Sequence, residues 1–129
     1  MSDYVFSISK QFKAILDMLK QTNPKIVIHY FYPENFNKLP CISYKLAGNT
    51  ILSKTINAEP RRQESAYQVD LWDASAEVLD TLATELKTIM LKYKWTCTFE
   101  QDLKEPAELY YHKSMRFALT FDNKLKISL

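Results

Sequence analysis

The sequence predicts an α+β fold: a mostly antiparallel, four- to five-stranded sheet with two helices packed on it. Three observations predict it. Two segments repeat apolar residues at helical spacing, several others alternate β-branched and aromatic residues with polar ones, and the order is helix, strand, strand, strand, helix, strand, strand. A length of 129 residues, 47% hydrophobic and 25% charged, suits one domain with its own core, so residues 1–129 are expected to form a single domain.

The first helix is marked by Val5, Ile8, Phe12, Ile15, Leu16 and Leu19, with Lys10, Lys13 and Lys20 on the solvent side. It stops at Thr22-Asn23-Pro24, because proline pushes the preceding residue out of helical geometry. The run from Lys25 to Tyr32 reads as a strand with apolar residues on both faces, ended by Pro33. A polar loop with Asn35 and Asn37 leads to Pro40, and Cys41 to Leu46 reads as a second strand. Ala47-Gly48-Asn49 gives the strongest turn signal, since Gly and Asn tolerate positive φ. The segment from Ile51 to Arg62 lacks clear alternation and is expected to be a hairpin return followed by a long, mobile loop.

Tyr67, Val69 and Leu71 then alternate with Ala66, Gln68 and Asp70, as in a strand with one buried face. Asp73 or Ser75 can cap the next helix. Its apolar stripe is Val78, Leu79, Leu82, Leu86, Ile89, Met90 and Tyr93, while Glu77, Asp80, Glu85 and Lys87 face water. Lys92 and Lys94 near its end complement the helix dipole. Thr96 to Phe99 begins a further strand that gives way at Asp102 to a charged connection ending in Pro106. The last long strand spans Leu109 to Phe121, with Tyr111, Met115, Phe117, Leu119 and Phe121 on one face and Tyr110, His112, Ser114, Arg116 and Thr120 on the other. The tail from Asp122 to Leu129 either extends the sheet or pairs with a neighbour.

Composition excludes several functions. Gly48 is the single glycine, and phosphate-binding loops need two or three at fixed spacing. A net charge of +2, from 17 basic and 15 acidic residues, lacks the basic excess of a dedicated duplex-binding protein. No long apolar run suits a membrane span and the first residues lack a signal-peptide layout, so a cytoplasmic site of synthesis is expected. Cys41 and Cys97 lie in separate apolar stretches and are expected to be reduced, buried thiols.

Chemistry has little to build on. His29 and His112 each lie in a strand beside aromatic residues, without the spacing of a zinc site, and read as sheet histidines. Asp70 and Asp73 resemble a metal-binding pair only until their places are considered: the outward face of a strand and a helix cap. No catalytic residue, metal or cofactor is expected. Lys54 and the compact pair Arg61-Arg62 fall in the expected loop, where arginine suits bidentate contact with a partner's carboxylates. Eight tyrosines, seven phenylalanines and two tryptophans are a heavy aromatic load. Tyr30, Phe31, Tyr32, Trp72 and Tyr110 lie on strand faces that two helices cannot all cover. Of these, Tyr30, Tyr32, Trp72 and Tyr110 make, with Arg116, the expected oligomer interface, because aromatic and arginine side chains are enriched at such surfaces.

The order of these segments resembles the tail-terminator, or tail-completion, proteins of long-tailed bacteriophages. The resemblance rests on the Pro24-led and Pro40-led strands, the run Arg62 to Ser75 (RQESAYQVDLWDAS) entering a helix like Glu77 to Lys92, and the closing strand Tyr111 to Phe117 (YHKSMRF). It implies a non-enzymatic, hexameric ring that caps the tail tube, stops its growth and forms the tail side of the head-tail joint. The implied partners are further copies of the chain, the major tail tube protein and a connector or stopper protein, with no membrane and no specific nucleic acid, though DNA passes through the ring. The implied location is the virion, after assembly in the host cytoplasm. The alternatives are a head-completion or neck protein with the same ring logic, or a small single-stranded nucleic-acid-binding module stacking bases on Phe31 and Tyr110.

Overall fold

The computed structural model describes residues 2–33, 35–54, 60–103, 110–122 and 127–128, with side chains described at these positions except 2–7, 53, 60–61 and 127–128. Helix α1 (Ser2–Thr22) is followed by strands β1 (Val27–Tyr30), β2 (Cys41–Lys54) and β3 (Pro60–Asp73). Helix α2 (Ala76–Lys92) leads into β4 (Thr96–Leu103), β5 (Tyr111–Asp122) and β6 (Ile127–Ser128). This is the α+β fold that the sequence predicts. The sheet order is β1-β2-β3-β5-β4, with β6 paired to the end of β5. β1 and β2 are parallel, and the other pairs are antiparallel.

Both helices lie on one side of the sheet. From α1, Ile8, Phe12, Ile15, Leu16 and Leu19 are buried, five positions of one helical stripe. The helix ends where Asn23 N–H bonds the carbonyls of Leu19 and Lys20, and the Asn23 side chain reaches Glu85 of α2 at 2.9 Å. Helix α2 starts at Ser75, whose hydroxyl accepts from Val78 N–H at 3.3 Å. Asp73 supports this cap by accepting from Ser75 N–H at 2.9 Å. At the other end Lys94 takes φ 72°, with Trp95 N–H on Met90 carbonyl and Lys94 N–H on Leu91 carbonyl. That double bond pattern closes the helix as a Schellman motif. Leu79, Leu82, Ala83, Leu86 and Met90 are buried, whereas Val78 and Tyr93, expected in the stripe, are exposed at its margins.

The sheet meets the helices through Ile42 and Tyr44 of β2, Tyr67, Val69 and Leu71 of β3, and Met115, Phe117 and Leu119 of β5. Every second residue contributes, as a pleated strand requires. Phe12 occupies the centre: its ring stacks on Tyr67 at 4.5 Å and meets Trp95 edge-on at 4.9 Å. Burial of each large side chain in such a core stabilises the fold by about 1.5–3 kcal/mol.

Three expectations are corrected. Ala47-Gly48-Asn49 is not a turn: β2 runs straight through it, and Gly48 pairs with Ala66 beside a register shift after Leu46. A bulge glycine inside a strand leaves the same local signature as a turn glycine. The expected loop from Ile51 to Arg62 is largely hairpin, with Ile51 opposite Gln63, Ser53 opposite Arg62 and Lys54 opposite Pro60. Residues 55–59 lie outside the described residues. Among the described residues this half of the hairpin adds nothing to the core cluster, and its buried positions Gln63 and Ser65 are polar, so no apolar alternation marks its sequence. Finally, β4 continues through Asp102 to Leu103, since Asp102 lies opposite Lys113 and bonds its ammonium. The rest of the charged connection, 104–109, lies outside the described residues.

Candidate functional site

The side of the sheet away from the helices is built from cross-strand rows. One row reads Cys41, Trp72, His112 and Leu103; the next reads His29, Ser43, Asp70, Ser114 and Gln101; the third reads Lys45, Gln68, Arg116 and Phe99. In the first row His112 stacks on Trp72 with ring centroids 4.4 Å apart. Tyr32 meets Trp72 edge-on at 5.8 Å, Phe36 lies 5.2 Å from it, and Phe36 stacks on Tyr110 at 4.8 Å. Trp72 is therefore only 2% exposed. The expectation that it lies uncovered is corrected, because the chain crossing from β1 to β2 supplies the cover that the helices do not.

In the row beside this aromatic cluster Asp70 sits buried, its Oδ1 2.9 Å from His112 Nε2 and its Oδ2 accepting from the Gln68 amide at 3.1 Å. Gln68 also reaches Ser114 at 3.4 Å. Burial pushes the Asp70 carboxyl up, but hydrogen bonds from His112, Gln68 and Ser114 outweigh it and hold the carboxyl below its ordinary value. The His112 ring face is taken by Trp72 and its Nε2 by Asp70, so the pair braces β3 against β5. Cys41 is fully buried beside this aromatic cluster; burial and then the nearby Asp73 charge push its thiol up to about 11, so it stays protonated at neutral pH. Cys41 and Cys97 are free, Cys97 being partly buried against the core.

A second polar cluster ties α2 to β4. The Lys113 ammonium, on an almost buried side chain, lies 2.8 Å from Asp102, 3.1 Å from Asp80 and 3.4 Å from Glu100. Burial opposes its charge, but bonds with Asp102, Asp80 and Glu100 outweigh that and hold it well above the usual lysine range. Glu100 is lowered chiefly by its hydrogen bond from Lys87 at 2.8 Å.

The open edges differ in character. At the end of β1, Tyr30, Phe31 and Tyr32 are 63%, 62% and 61% exposed. Phe31 holds φ 77°, donates its N–H to Tyr44 carbonyl at 2.8 Å, and is spanned by a bond from Tyr32 N–H to Tyr30 carbonyl at 3.0 Å. A three-residue turn with a positive central φ is the rarer, strained γ form. The Tyr30 ring leans on Tyr44 at 5.2 Å, while Lys45 Nζ sits 5.4 Å from the Phe31 ring, so this knuckle presents aromatic surface to both sides of the sheet. On the opposite edge, Phe99 of β4 is 45% exposed.

The third exposed region is the far half of the β2–β3 hairpin. Ile51 and Leu52 are exposed there, as are Lys54 and Arg62. Arg62 Nε lies 3.6 Å from the fully buried Asp122 carboxylate, so Arg62 is anchored to β5 instead of riding on a loop. Arg61 belongs to β3, and its side chain lies outside the described residues. Of the other residues singled out from sequence, Arg116 is exposed between Gln68 and Phe99, and Tyr110 is half-buried under Phe36. The sequence reading missed Phe36, Phe99, Ile51 and Leu52; the last three carry a usable signal, large apolar residues in strands at positions facing no helix.

A cleft of about 630 Å³ lies between the end of α1, Pro40 and the first turns of α2, with Lys25, Asp73 and Glu77 on its walls. Among the described residues no three His, Cys, Asp or Glu side chains come together to hold a metal ion, and no helix is long and apolar enough to cross a membrane. No protein-family model matches the chain, and no curated protein matches it.

Proposed function

We propose that the protein is a structural component of a long-tailed phage virion, a tail terminator that caps the tail tube and forms the tail side of the head-tail joint as a ring. The observation that carries this reading is the β2–β3 hairpin: two strands of 14 residues each, whose far half is braced by β5 on one side and carries exposed Ile51, Leu52, Lys54 and Arg62. An exposed strand end with apolar side chains and flanking cations suits docking on another protein. It does not suit catalysis, which needs convergent polar groups in a concavity. The partners in this reading are the tube protein on one ring face and a connector protein on the other. Termination follows if the ring face away from the tube lacks what another tube subunit requires.

The test is capping of purified tail tubes followed by negative-stain imaging. The native chain should add one ring of density to tube ends, and the double variant Ile51→Ser, Leu52→Ser should lose that addition while keeping its circular dichroism spectrum. Tubes left bare by the native chain sink the proposal, and density at a head connector instead moves the protein to the neck. Retention on single-stranded DNA that weakens with salt is the mark of the nucleic-acid alternative.

A further inference from the structure

We propose that copies of this chain associate head-to-tail by adding the β1 edge of one copy, with its Tyr30–Phe31–Tyr32 knuckle, to the β4 edge of the next. Resting on the ring reading above, this names the contact from which such a ring would be built. Among the described residues the sheet ends in two different unpaired edges, β1 and β4. Open edges present unsatisfied N–H and C=O groups and are templates for another strand. Because the edges differ, joining one to the other leaves the pair with one free edge of each kind, the requirement for a ring.

Strand direction favours the join. β1 runs with β2, β2 against β3, β3 against β5, and β5 against β4, so β4 runs opposite to β1. A second copy set beside the first with the same face outward brings β1 against β4 as an antiparallel pair, the more stable arrangement. The levels also match. The cross-strand row that starts at Tyr30 passes through Tyr44, Val69 and Met115 and ends at Glu100, one residue from exposed Phe99. An unstaggered addition therefore sets the aromatic knuckle beside Phe99.

Charge is complementary. Residues 2–30, which lead into and form β1, hold four lysines (10, 13, 20 and 25) against Asp3 and Asp17, a net +2 with His29 neutral. Residues 76–103, which lead into and form β4, hold three lysines (87, 92 and 94) against Glu77, Asp80, Glu85, Glu100 and Asp102, and with the Lys113 ammonium that Asp80, Glu100 and Asp102 share the balance is −1. Opposite signs steer the two edges together and oppose β1–β1 or β4–β4 pairing. The strained Phe31 backbone points the same way, since strain that exposes three rings is retained where a contact uses it.

The experiment uses two full-length variants, Phe31→Asp, which suits the positive φ, and Phe99→Asp, with Phe31→Ser and Phe99→Ser as a second pair should either aspartate variant lose its native melting transition. Mass is followed by sedimentation velocity across concentration. The native chain should associate, each variant alone should associate at least about tenfold more weakly, and an equimolar mixture should form a dimer and nothing larger. In that dimer the intact β4 edge of one variant meets the intact β1 edge of the other. A native chain that stays monomeric, a variant that still dimerises alone, or a mixture that stays monomeric overturns the proposal. Tube capping separates this result from the functional reading. Rings that cap tubes despite either substitution refute the edge contact and leave the terminator role standing, whereas a mixed dimer from a chain that ignores tubes refutes the terminator role alone.

Discussion

The two faces of the sheet are stabilised by different physics. The helix side is a continuous apolar core around Phe12, in which Tyr67, Trp95 and Phe117 surround one ring. The other side is a polar network, Asp70 with His112, Gln68 and Ser114, flanked by a lid of loop aromatics. Apolar packing is non-directional and insensitive to pH, whereas a buried carboxylate depends on each of its donors. The helix side should therefore set global stability, while Asp70 on the other side, together with the Lys113–Glu100 pair, should set how β3 and β5 respond to acid.

Replacing Phe12 by Ala tests the first half of this contrast and should have the largest effect, about 3–5 kcal/mol lost in urea denaturation. Asp70→Asn should cost less, about 1–3 kcal/mol, by weakening the bonds from His112 and Gln68 while keeping the shape. It should also change the acid response. The folded Asp70 carboxyl lies below its ordinary value of 3.8, so its contribution is present above about pH 4 and is lost as pH falls through the folded value. The native chain should lose stability over that range, and Asp70→Asn should lose correspondingly less. If both lose it equally, the polar face is not the acid-sensitive one.

Smaller effects are expected at the open edges. Phe31→Gly removes a side chain that is 62% exposed and relaxes φ 77°, so melting should show no loss and a gain of at most about 1 kcal/mol. Leu52→Ser, at the exposed far half of the hairpin, should stay within about 0.5 kcal/mol of the native chain. A large loss at either position would mean that the edge residues support the fold and are not spare surface.

Much of the helix side was legible in the sequence because one rule governs it: a residue facing the helices is apolar. Thus α1, the Tyr67–Val69–Leu71 strand and α2 could be read from spacing alone, with the cap correctly narrowed to Asp73 or Ser75. The opposite side follows no such rule. Trp72 is covered by Tyr32, which reads as the end of a strand, and by Phe36 from a segment that reads as a polar loop, and nothing local in the sequence announces that fold-back. Lys113 is instructive too, since its spacing from Met115 and Phe117 puts it on the buried side while its charge argues otherwise. Three carboxylates from α2 and β4 reconcile the two, and only the tertiary structure brings them together. Among the candidate interface residues, the exposure of Tyr30 and Tyr32 followed from an apolar strand with no second layer to cover it, whereas the Phe31 γ-turn had no glycine or asparagine to mark it.

The two tryptophans have a practical consequence. Trp95 is fully buried on the helix side against Phe12 and Tyr67, and Trp72 is buried on the other side against His112 and Tyr32. Each indole is thus a native optical probe of one layer. Trp72→Phe leaves an emission that follows helix docking, and Trp95→Phe leaves one that follows the loop lid. Monitored together during unfolding, coincident traces would mean that the two layers melt as one cooperative unit, and separated traces would reveal the lid lifting while the core still holds.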